Sequence, residues 1–407
     1  MIKHLCLLLT VVLIGCKQST PKTEISSSKA ATALQSNQDS IVPIQYAQGF
    51  QMETKGYITY VQVKSPWPDA KKPFTYVLID KQHKELYRDS LEHLKKTYDA
   101  VVFTPADKVI ATSTTHIPAF ELLEVSDHLI GFPETDYISS PLIRQRIENG
   151  QIKELGTNES LNEEVIIATQ PDLFIGFGVS GQNKSYNTIA KAGIPVVYNG
   201  DWVEETPLGK AEWIKFMGAF FAKQKQADSI FNAVVSEYQK AKQLALEATT
   251  QPTVISGSMF KDIWYAPAGE SWLAQFFKDA NANYLWKDTN GTGSLSLNFE
   301  TVLMKARATE YWIGSGQFIS YSQLKQANPH YDQFDFFKLK NIYTYGLSTG
   351  DKGGMFYYEL APTRPDMVLK DIIHILHPDL LPNYTTVFFK PLQPRIPQNH
   401  TTLPYSF

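Results

Sequence analysis

Cysteine is almost absent from this chain of 407 residues: Cys6 and Cys16 are the only two, and both lie within the first sixteen positions. The rest of the chain can therefore form no disulfide, no thiolate metal site and no cysteine nucleophile. A body without cysteine has no thiol that must be kept reduced, so the composition suits an oxidising compartment outside the cytoplasm.

Other signatures are missing as well. Lys and Arg number 38 against 41 Asp and Glu, a net charge of −3, and this balance argues against nucleic acid as a partner. The phosphate-binding Gly-x4-Gly-Lys-Ser/Thr loop and the Gly-x-Ser-x-Gly elbow do not occur. The nine histidines are scattered, and His374 and His377 lack an acidic cluster at metal-ligand spacing. The sequence predicts no catalytic centre, no cofactor and no metal site.

The first sixteen residues have the pattern of a secretory signal. A positively charged start at residues 1–4 precedes an apolar run at 5–14, which is too short to span a bilayer as a mature helix. Leu13-Ile14-Gly15-Cys16 resembles the lipobox of bacterial lipoproteins, in which the cysteine takes a diacylglycerol and becomes the new N-terminus. The resemblance implies a signal peptide at 1–16, lipidation of Cys16 and a membrane-anchored protein of the periplasm or cell envelope. The alternatives are a plain secretion signal or an uncleaved anchor.

Two segments precede the main body. Residues 17–40 have few large apolar side chains, which predicts a flexible tether. β-Branched and aromatic residues then alternate at 57–63 and recur at 76–79, with Ser65-Pro66-Trp67-Pro68 between them. This pattern predicts a β-hairpin, or a pair of edge strands, that extends the N-terminal lobe.

From about residue 105, short apolar runs alternate with helical patterns. The predicted strands lie at 109–112, 128–132, 173–176, 194–198, 253–256 and 311–314. Such alternation predicts parallel βαβ units, whose ligands bind at the carboxyl ends of the strands.

A long helical segment interrupts this alternation at 208–249. The pattern predicts one helix packed on the first lobe, followed by a long helix that leaves it. About 24 helical residues from Ala227 onward would span roughly 35 Å. We therefore predict an α/β fold of two Rossmann-like lobes joined by a single long helix, with the ligand cleft between the lobes. The N-terminal lobe would occupy 41–207 and the C-terminal lobe 250–407.

One short motif occurs in both halves. Asn162-Glu163-Glu164, followed by Pro171-Asp172-Leu173, has a counterpart in Asn298-Phe299-Glu300. Each Asn is placed to cap a helix, and a Glu in the first turn also complements the helix dipole. The arrangement resembles the N-lobe motif of class III periplasmic binding proteins, which supply ABC importers with iron–siderophores, haem or cobalamin. The resemblance covers about residues 105–385.

The resemblance implies a binding protein that performs no chemistry. In that family an exposed Glu on each lobe pairs with arginines of the membrane permease, a role that falls here on Glu164 and Glu300. The implied partners are the permease and its ATPase, and the implied state is a monomer. The expected cargo is a ferric siderophore first, cobalamin second and haem third, although scarce arginine weakens the first choice. An exported enzyme or a scaffold lipoprotein on the same fold is the competing class.

The family places strand-to-helix connections of both lobes at the cleft. In the second half these carry Trp264 and Tyr265, with Trp272 expected to pack inside its helix. Arg364 would hold an anionic ligand or form a surface ion pair. The residues predicted to contact the ligand are Thr115, Phe132, Tyr137, Gly178, Trp202, Trp264, Tyr265, Phe356, Tyr357 and Arg364.

Gly178 lies within a Gly-x-Gly-x-x-Gly motif at 176–181, and Asp201 follows 20 positions after Gly181. This spacing matches the dinucleotide fingerprint. Export to a compartment without NAD and the position of the motif in mid-sheet argue against that interpretation. The glycines also suit a loop that lets a ligand approach the backbone.

Overall fold

A computed structural model describes residues 40–181 and 183–394 of the chain. The predictions for the signal peptide, for Cys16 and for nearly all of the tether fall outside these described residues. Within the described ranges, no helix has the length and apolar character needed to cross a membrane.

The N-terminal segment forms a five-stranded sheet. Its strands are β1 (Ser40–Val42), β2 (Phe50–Lys55), β3 (Ile58–Val63), β4 (Phe74–Asp80) and β5 (Ala100–Thr104). They lie in sequence order; the first four are antiparallel, and β5 runs parallel to β4 after helix α1 (Leu91–Thr97). The predicted hairpin corresponds to the β3–β4 ladder, where Val61 faces Tyr76. The segment is thus larger than a hairpin.

The first lobe contains a parallel sheet in the order β12-β11-β6-β7-β8. Its strands are β6 (Val109–Ala111), β7 (Leu129–Phe132), β8 (Lys153–Glu154), β11 (Leu173–Gly176) and β12 (Val196–Tyr198), and a small hairpin is formed by β9 (Gly156–Thr157) and β10 (Ser160–Leu161). Its helices are α2 (Ile117–Leu122), α3 (Pro141–Glu148), α4 (Glu163–Thr169) and α5 (Lys184–Lys191). The chain leaves β6 toward β7 and later returns to β11 on the other side of β6, so the order reverses there. Ligands of open α/β sheets bind at such a switch point.

Two helices follow the first lobe: α6 (Pro207–Phe220) and α7 (Gln224–Ala245). The 22 residues of α7 span about 33 Å. Every residue of α6 is buried, including its charged ones, whereas α7 buries one stripe. The helical pattern predicted at 208–249 is therefore one core helix and one long surface helix.

The second lobe repeats the architecture of the first. Its main sheet has the order β16-β13-β18-β19-β20, parallel except for the β19–β20 pair. The strands are β13 (Thr253–Ile255), β14 (Ser258–Phe260), β15 (Ile263–Pro267), β16 (Asn283–Tyr284), β17 (Ser294–Asn298), β18 (Tyr311–Ile313), β19 (Ile342–Thr344) and β20 (Lys390–Pro391). Strands β14, β15 and β17 form a separate antiparallel sheet. The helices are α8 (Trp272–Asp279), α9 (Phe299–Ala306), α10 (Tyr321–Ala327), α11 (Asp335–Lys338), α12 (Phe356–Leu360) and α13 (Pro365–Leu376).

Buried carboxylates attach the segment between β1 and β2 to the first lobe. Glu212 of α6 accepts hydrogen bonds from the backbone N–H groups of residues 45–47, at 2.7–3.1 Å. Glu204 accepts from those of Gln48 and Gly49, at 2.9 and 2.6 Å. Lys215 pairs with Glu212 at 3.0 Å. Five consecutive backbone N–H groups thus donate to two carboxylates. Each buried carboxylate in this way receives the hydrogen bonds that a buried polar group requires.

We predict that Glu212→Gln destabilises the protein by about 3 kcal/mol, because it removes one acceptor oxygen and the buried one of the two carboxylates that pair with Lys215, leaving only the half-exposed Asp228 at 3.3 Å. Urea unfolding monitored by circular dichroism measures the change. The matched control is Glu247→Gln, at an exposed position just after α7, which should alter stability by less than about 0.5 kcal/mol. Equal effects of the two substitutions would refute the structural role of Glu212.

Candidate functional site

A cavity of about 460 Å³ lies between the two lobes. The first lobe and α6 contribute Thr115, Asp201, Trp202 and Lys210 to its walls. The second lobe contributes six aromatic rings: Tyr265, Trp272, Tyr345, Tyr357, Tyr358 and Phe389. The cavity therefore has one polar wall with a single tryptophan and one aromatic wall.

The aromatic wall is held by ring–ring contacts. Tyr345 and Tyr357 are stacked at 5.0 Å with an angle of 11°, and Trp272 lies 5.9 Å from Tyr357. The Tyr358 hydroxyl donates to the Tyr345 hydroxyl at 3.1 Å. Burial raises the pKa of Tyr345 and of Tyr357 well above the ordinary value, so both phenols stay neutral. Such rings offer large apolar area and lose few rotamers when a ligand binds.

A second cavity of about 280 Å³ adjoins the first, and Tyr358 lines both. It is built from residues at or just after the carboxyl ends of β6 and β7, namely Ser113, Thr114, Phe132, Glu134 and Tyr137, together with Asn158, Gln317 and Met355. Hydroxyl, amide and carboxylate groups make this chamber richer in hydrogen-bonding groups than the aromatic wall.

Lys210 is the cation of the larger cavity. Its Nζ donates to the carbonyl oxygens of Asp201 and Trp202, at 3.2 and 2.9 Å, and lies 5.3 Å from the ring centre of Trp272. Burial lowers the pKa of Lys210, whereas Asp201 and Glu204 act in the opposite direction. Among the described residues no arginine lines either cavity. The charged residues that line the larger cavity are one lysine and one aspartate, so their formal charges cancel.

Six predicted ligand residues lie on the cavities. Thr115, Trp202, Tyr265 and Tyr357 line the larger one, and Phe132 and Tyr137 line the smaller one. Trp202 is held in place because its indole N–H donates to the Gly178 carbonyl at 3.0 Å. Direct contact of these side chains with a ligand stays a prediction.

Trp264 does not face the cleft. Its ring is fully buried, 5.0 Å from that of Trp312, and its indole N–H donates to the Ser256 carbonyl at 3.1 Å. The reason is the alternation of side chains along β15: Tyr265 points to the cavity, so its neighbour Trp264 points to the opposite face. Trp272, which we expected to pack inside its helix, lies on the cavity wall instead.

Three further predicted residues also lie off the cavities. A Cβ on Gly178 would come within 2.3 Å of the Trp67 ring, so the missing side chain makes room for the N-terminal segment. Arg364 makes a bidentate ion pair with Asp366, at 2.9 and 2.8 Å. Of the two predicted roles for Arg364, ligand contact or an ion pair, the structure contains the ion pair. Phe356 is buried in the core.

The sequence placed residues 353–358, and with them Tyr358, at the cleft, but sequence reasoning did not find Lys210, Tyr345 or Phe389. Lys210 lies in a helix whose charged residues look solvent-exposed by composition, and its burial is set by tertiary packing. Tyr345 follows β19, so its position at the carboxyl end of a parallel strand was the available signal.

The two candidate docking glutamates are exposed in the first turns of α4 and α9. Asn162 accepts from the N–H of Val165 at 3.1 Å, and Asn298 accepts from that of Thr301 at 2.7 Å. The predicted helix caps are confirmed. Neither contact tests the docking role of Glu164 and Glu300.

The described part of the chain contains no group of three or more His, Cys, Asp or Glu residues placed to hold a metal ion. The site geometry is that of an aromatic binding cleft.

The sequence model for periplasmic binding proteins matches residues 109–348. This chain belongs to that family. The expected resemblance to class III periplasmic binding proteins is confirmed, and members of this family serve ABC transporters as solute-binding components.

Two curated proteins similar to this chain are described as uncharacterized lipoproteins of Methanocaldococcus jannaschii. The first is 25% identical, and the alignment covers 98% of this binding protein and 97% of the relative. The second is 24% identical, with 65% and 68% covered.

Solved structures share the fold at low sequence identity. A periplasmic solute-binding protein from Veillonella parvula has a TM-score of 0.53 at 16% identity, with 70% of this chain and 84% of that chain covered. A possible iron-binding protein from Staphylococcus epidermidis gives 0.51 at 16% identity, with 67% and 100% covered. A component of an Fe3+-hydroxamate transport system from Saccharomonospora viridis gives 0.50 at 16%, with 67% and 94% covered. The predicted bilobed α/β fold is confirmed.

We predict that Gly178→Ala lowers the stability by about 1–3 kcal/mol, because the added methyl group collides with the Trp67 ring. Thermal unfolding measures this loss. Gly293→Ala is the matched control, since a Cβ there meets nothing within 4 Å. Equal melting temperatures for the two variants would contradict the assignment of Gly178 to packing.

Proposed function

We propose that this protein is the substrate-binding lipoprotein of an ABC importer and that it captures a bulky solute of low net charge. The cavity that carries the proposal presents six aromatic rings from one lobe, and its charged residues are one lysine and one aspartate from the other side. The lipid anchor on Cys16 and delivery to the permease and its ATPase are parts of the same proposal.

The charge of the cleft favours some cargoes over others. A ferric tris-catecholate complex carries a charge of about −3, and haem carries two carboxylates; buried anions of this kind need paired cations. The ammonium of Lys210 already donates to two backbone carbonyls. An uncharged ferric hydroxamate chelate or a corrinoid therefore suits this cavity better. The Saccharomonospora protein of similar fold is described as part of an Fe3+-hydroxamate system, which is one of these classes.

Docking to the permease is assigned to Glu164 and Glu300. Each is exposed in the first turn of a capped helix, at equivalent positions of the two lobes. An exposed carboxylate at a fixed helix end offers a partner for a cationic side chain of the permease, and its position is determined by the lobe that carries the helix.

Tryptophan fluorescence of the purified full-length chain tests the cargo. Trp202 and Trp272 line the cavity, so a ferric trihydroxamate chelate or cyanocobalamin should quench emission saturably, with Kd in the micromolar range or below. A ferric tris-catecholate chelate should bind at least about tenfold more weakly, since the cleft offers it one cation.

Tyr358→Ala should weaken binding of the quenching solute about tenfold, because it removes a ring shared by both chambers. Phe260→Ala, which truncates an exposed ring at the tip of the β14–β15 hairpin, should leave Kd unchanged. Tight binding of the tris-catecholate chelate would overturn the charge argument. No response to any solute would overturn the cargo assignment.

Glu164→Ala combined with Glu300→Ala should abolish uptake by cells and leave solute affinity unchanged, because both side chains lie outside the cavities. Uptake of radiolabelled solute is the measurement. Glu163→Ala, in the same turn of α4, is the matched control and should preserve uptake. Normal uptake by the double variant would refute the docking assignment.

A further inference from the structure

The two lobes touch directly where α12 of the second lobe meets the start of α3 in the first. The carboxylate of Glu359 accepts hydrogen bonds from the backbone N–H groups of Ser139 and Ser140, at 2.6 and 3.0 Å. All three residues are buried, with Glu359 and Ser140 at 0% exposure. A charged group of one lobe is thus bonded to the main chain of the other.

The helix that receives this carboxylate is well suited to it. Ser140 is the N-cap of α3, and its hydroxyl accepts from the N–H of Ile143 at 3.1 Å. A negative charge at a helix N-terminus is stabilised by the helix dipole, and hydrogen bonds to an ionised acceptor are about twice as strong as neutral ones. Because the contact is buried, its loss leaves backbone N–H groups without these acceptors, and that is costly.

Two glycines of the second lobe bring the backbones together at the same place. A Cβ on Gly354 would come within 2.2 Å of the Tyr137 carbonyl oxygen, and one on Gly350 within 2.9 Å of the Ser139 Cα. Side chains at either position would push the lobes apart. We refer to Glu359, Gly350 and Gly354 with the residues they meet, 137–140, as the interlobe clasp.

The clasp adjoins both cavities of the ligand cleft. Tyr357 and Tyr358, which immediately precede Glu359, belong to the aromatic wall. Tyr137, on the opposite side of the clasp, lines the smaller cavity. A change in the clasp therefore moves both walls relative to each other.

We propose that Glu359 is a positioning residue that fixes the separation of the lobes in the ligand-free protein and so presets the width of the cleft. The proposal rests on the proposed function only in taking the cleft as the solute site. Without the clasp, wider separations become populated, and the apparent affinity falls in proportion to the fraction of molecules that remain competent to bind.

Interlobe distance tests the proposal directly. Cysteines introduced by Ile167→Cys and Met304→Cys, both exposed and one on each lobe, take spin labels in a C6S/C16S background. Pulsed electron paramagnetic resonance without solute should give a narrow distribution of distances between the two spin labels when the clasp residues are unchanged. Glu359→Gln and Gly354→Ala should each broaden it and shift it to longer distances. Gly293→Ala, where an added Cβ meets nothing within 4 Å, should leave it unchanged.

Affinity is the second readout. Both clasp variants should raise the Kd for the ferric trihydroxamate chelate or cyanocobalamin, whichever binds, about tenfold. Gly354→Ala keeps the carboxylate, so it decides the question if Glu359→Gln fails to fold. Unchanged distances in folded clasp variants would overturn the proposal, even with weaker binding, since Glu359 would then act locally. If the unsubstituted chain binds neither solute, the cargo assignment fails. The distance measurement needs no solute, so it still tests whether the clasp fixes the separation of the lobes.

Discussion

The hydrogen bonds from five consecutive backbone amides at 45–49 to the carboxylates of Glu204 and Glu212 are the constraint on which the rest of this structure depends. They allow α6 to be buried on every side although it carries charges, because each charge meets a main-chain or ionic partner. The N-terminal sheet is consequently part of the first lobe. Its attachment positions the helix from which Lys210 reaches the cleft.

The same device recurs at the other walls of the site. Asp371 of α13 accepts from the amides of residues 387–389, at 2.6–3.0 Å, and thereby places Phe389 on the cavity. Glu359 does the equivalent between the lobes. Buried carboxylates that accept several amides fix loops in addition to side-chain packing, so the aromatic rings of these loops are arranged before a ligand arrives. Preorganisation of this kind lowers the entropy that binding must overcome.

Local signals predicted much of this fold. Hydrophobic runs predicted the strands β6, β7, β11, β12, β13 and β18, whereas the two-residue strands β8, β16 and β20 have no such run. Asn162 and Asn298 were recognisable as caps because their chemistry is local. The rings of the cleft were harder, since Trp264 and Tyr265 are adjacent in one strand and only the register decides which faces the ligand. Lys210 and Glu212 were hidden for a different reason. Their burial is a result of tertiary packing. The backbone partners of Glu212, for example, lie more than 150 residues away in the sequence, and no local pattern encodes such contacts.

If Glu164 and Glu300 dock to the permease as proposed, the rigidity of the lobes couples docking to the width of the cleft. Helices α4 and α9 each pack into the core of their own lobe through Ile166 and Val302. Glu164 and Glu300 therefore move with the lobes that carry them, and their separation follows the lobe separation. In the proposed docking arrangement, a permease that contacts both carboxylates requires a particular separation of the lobes. The interlobe clasp sets this same separation when it sets the width of the cleft. A clasp that held the lobes loosely would weaken both events, which gives one buried carboxylate influence over solute binding and over its delivery.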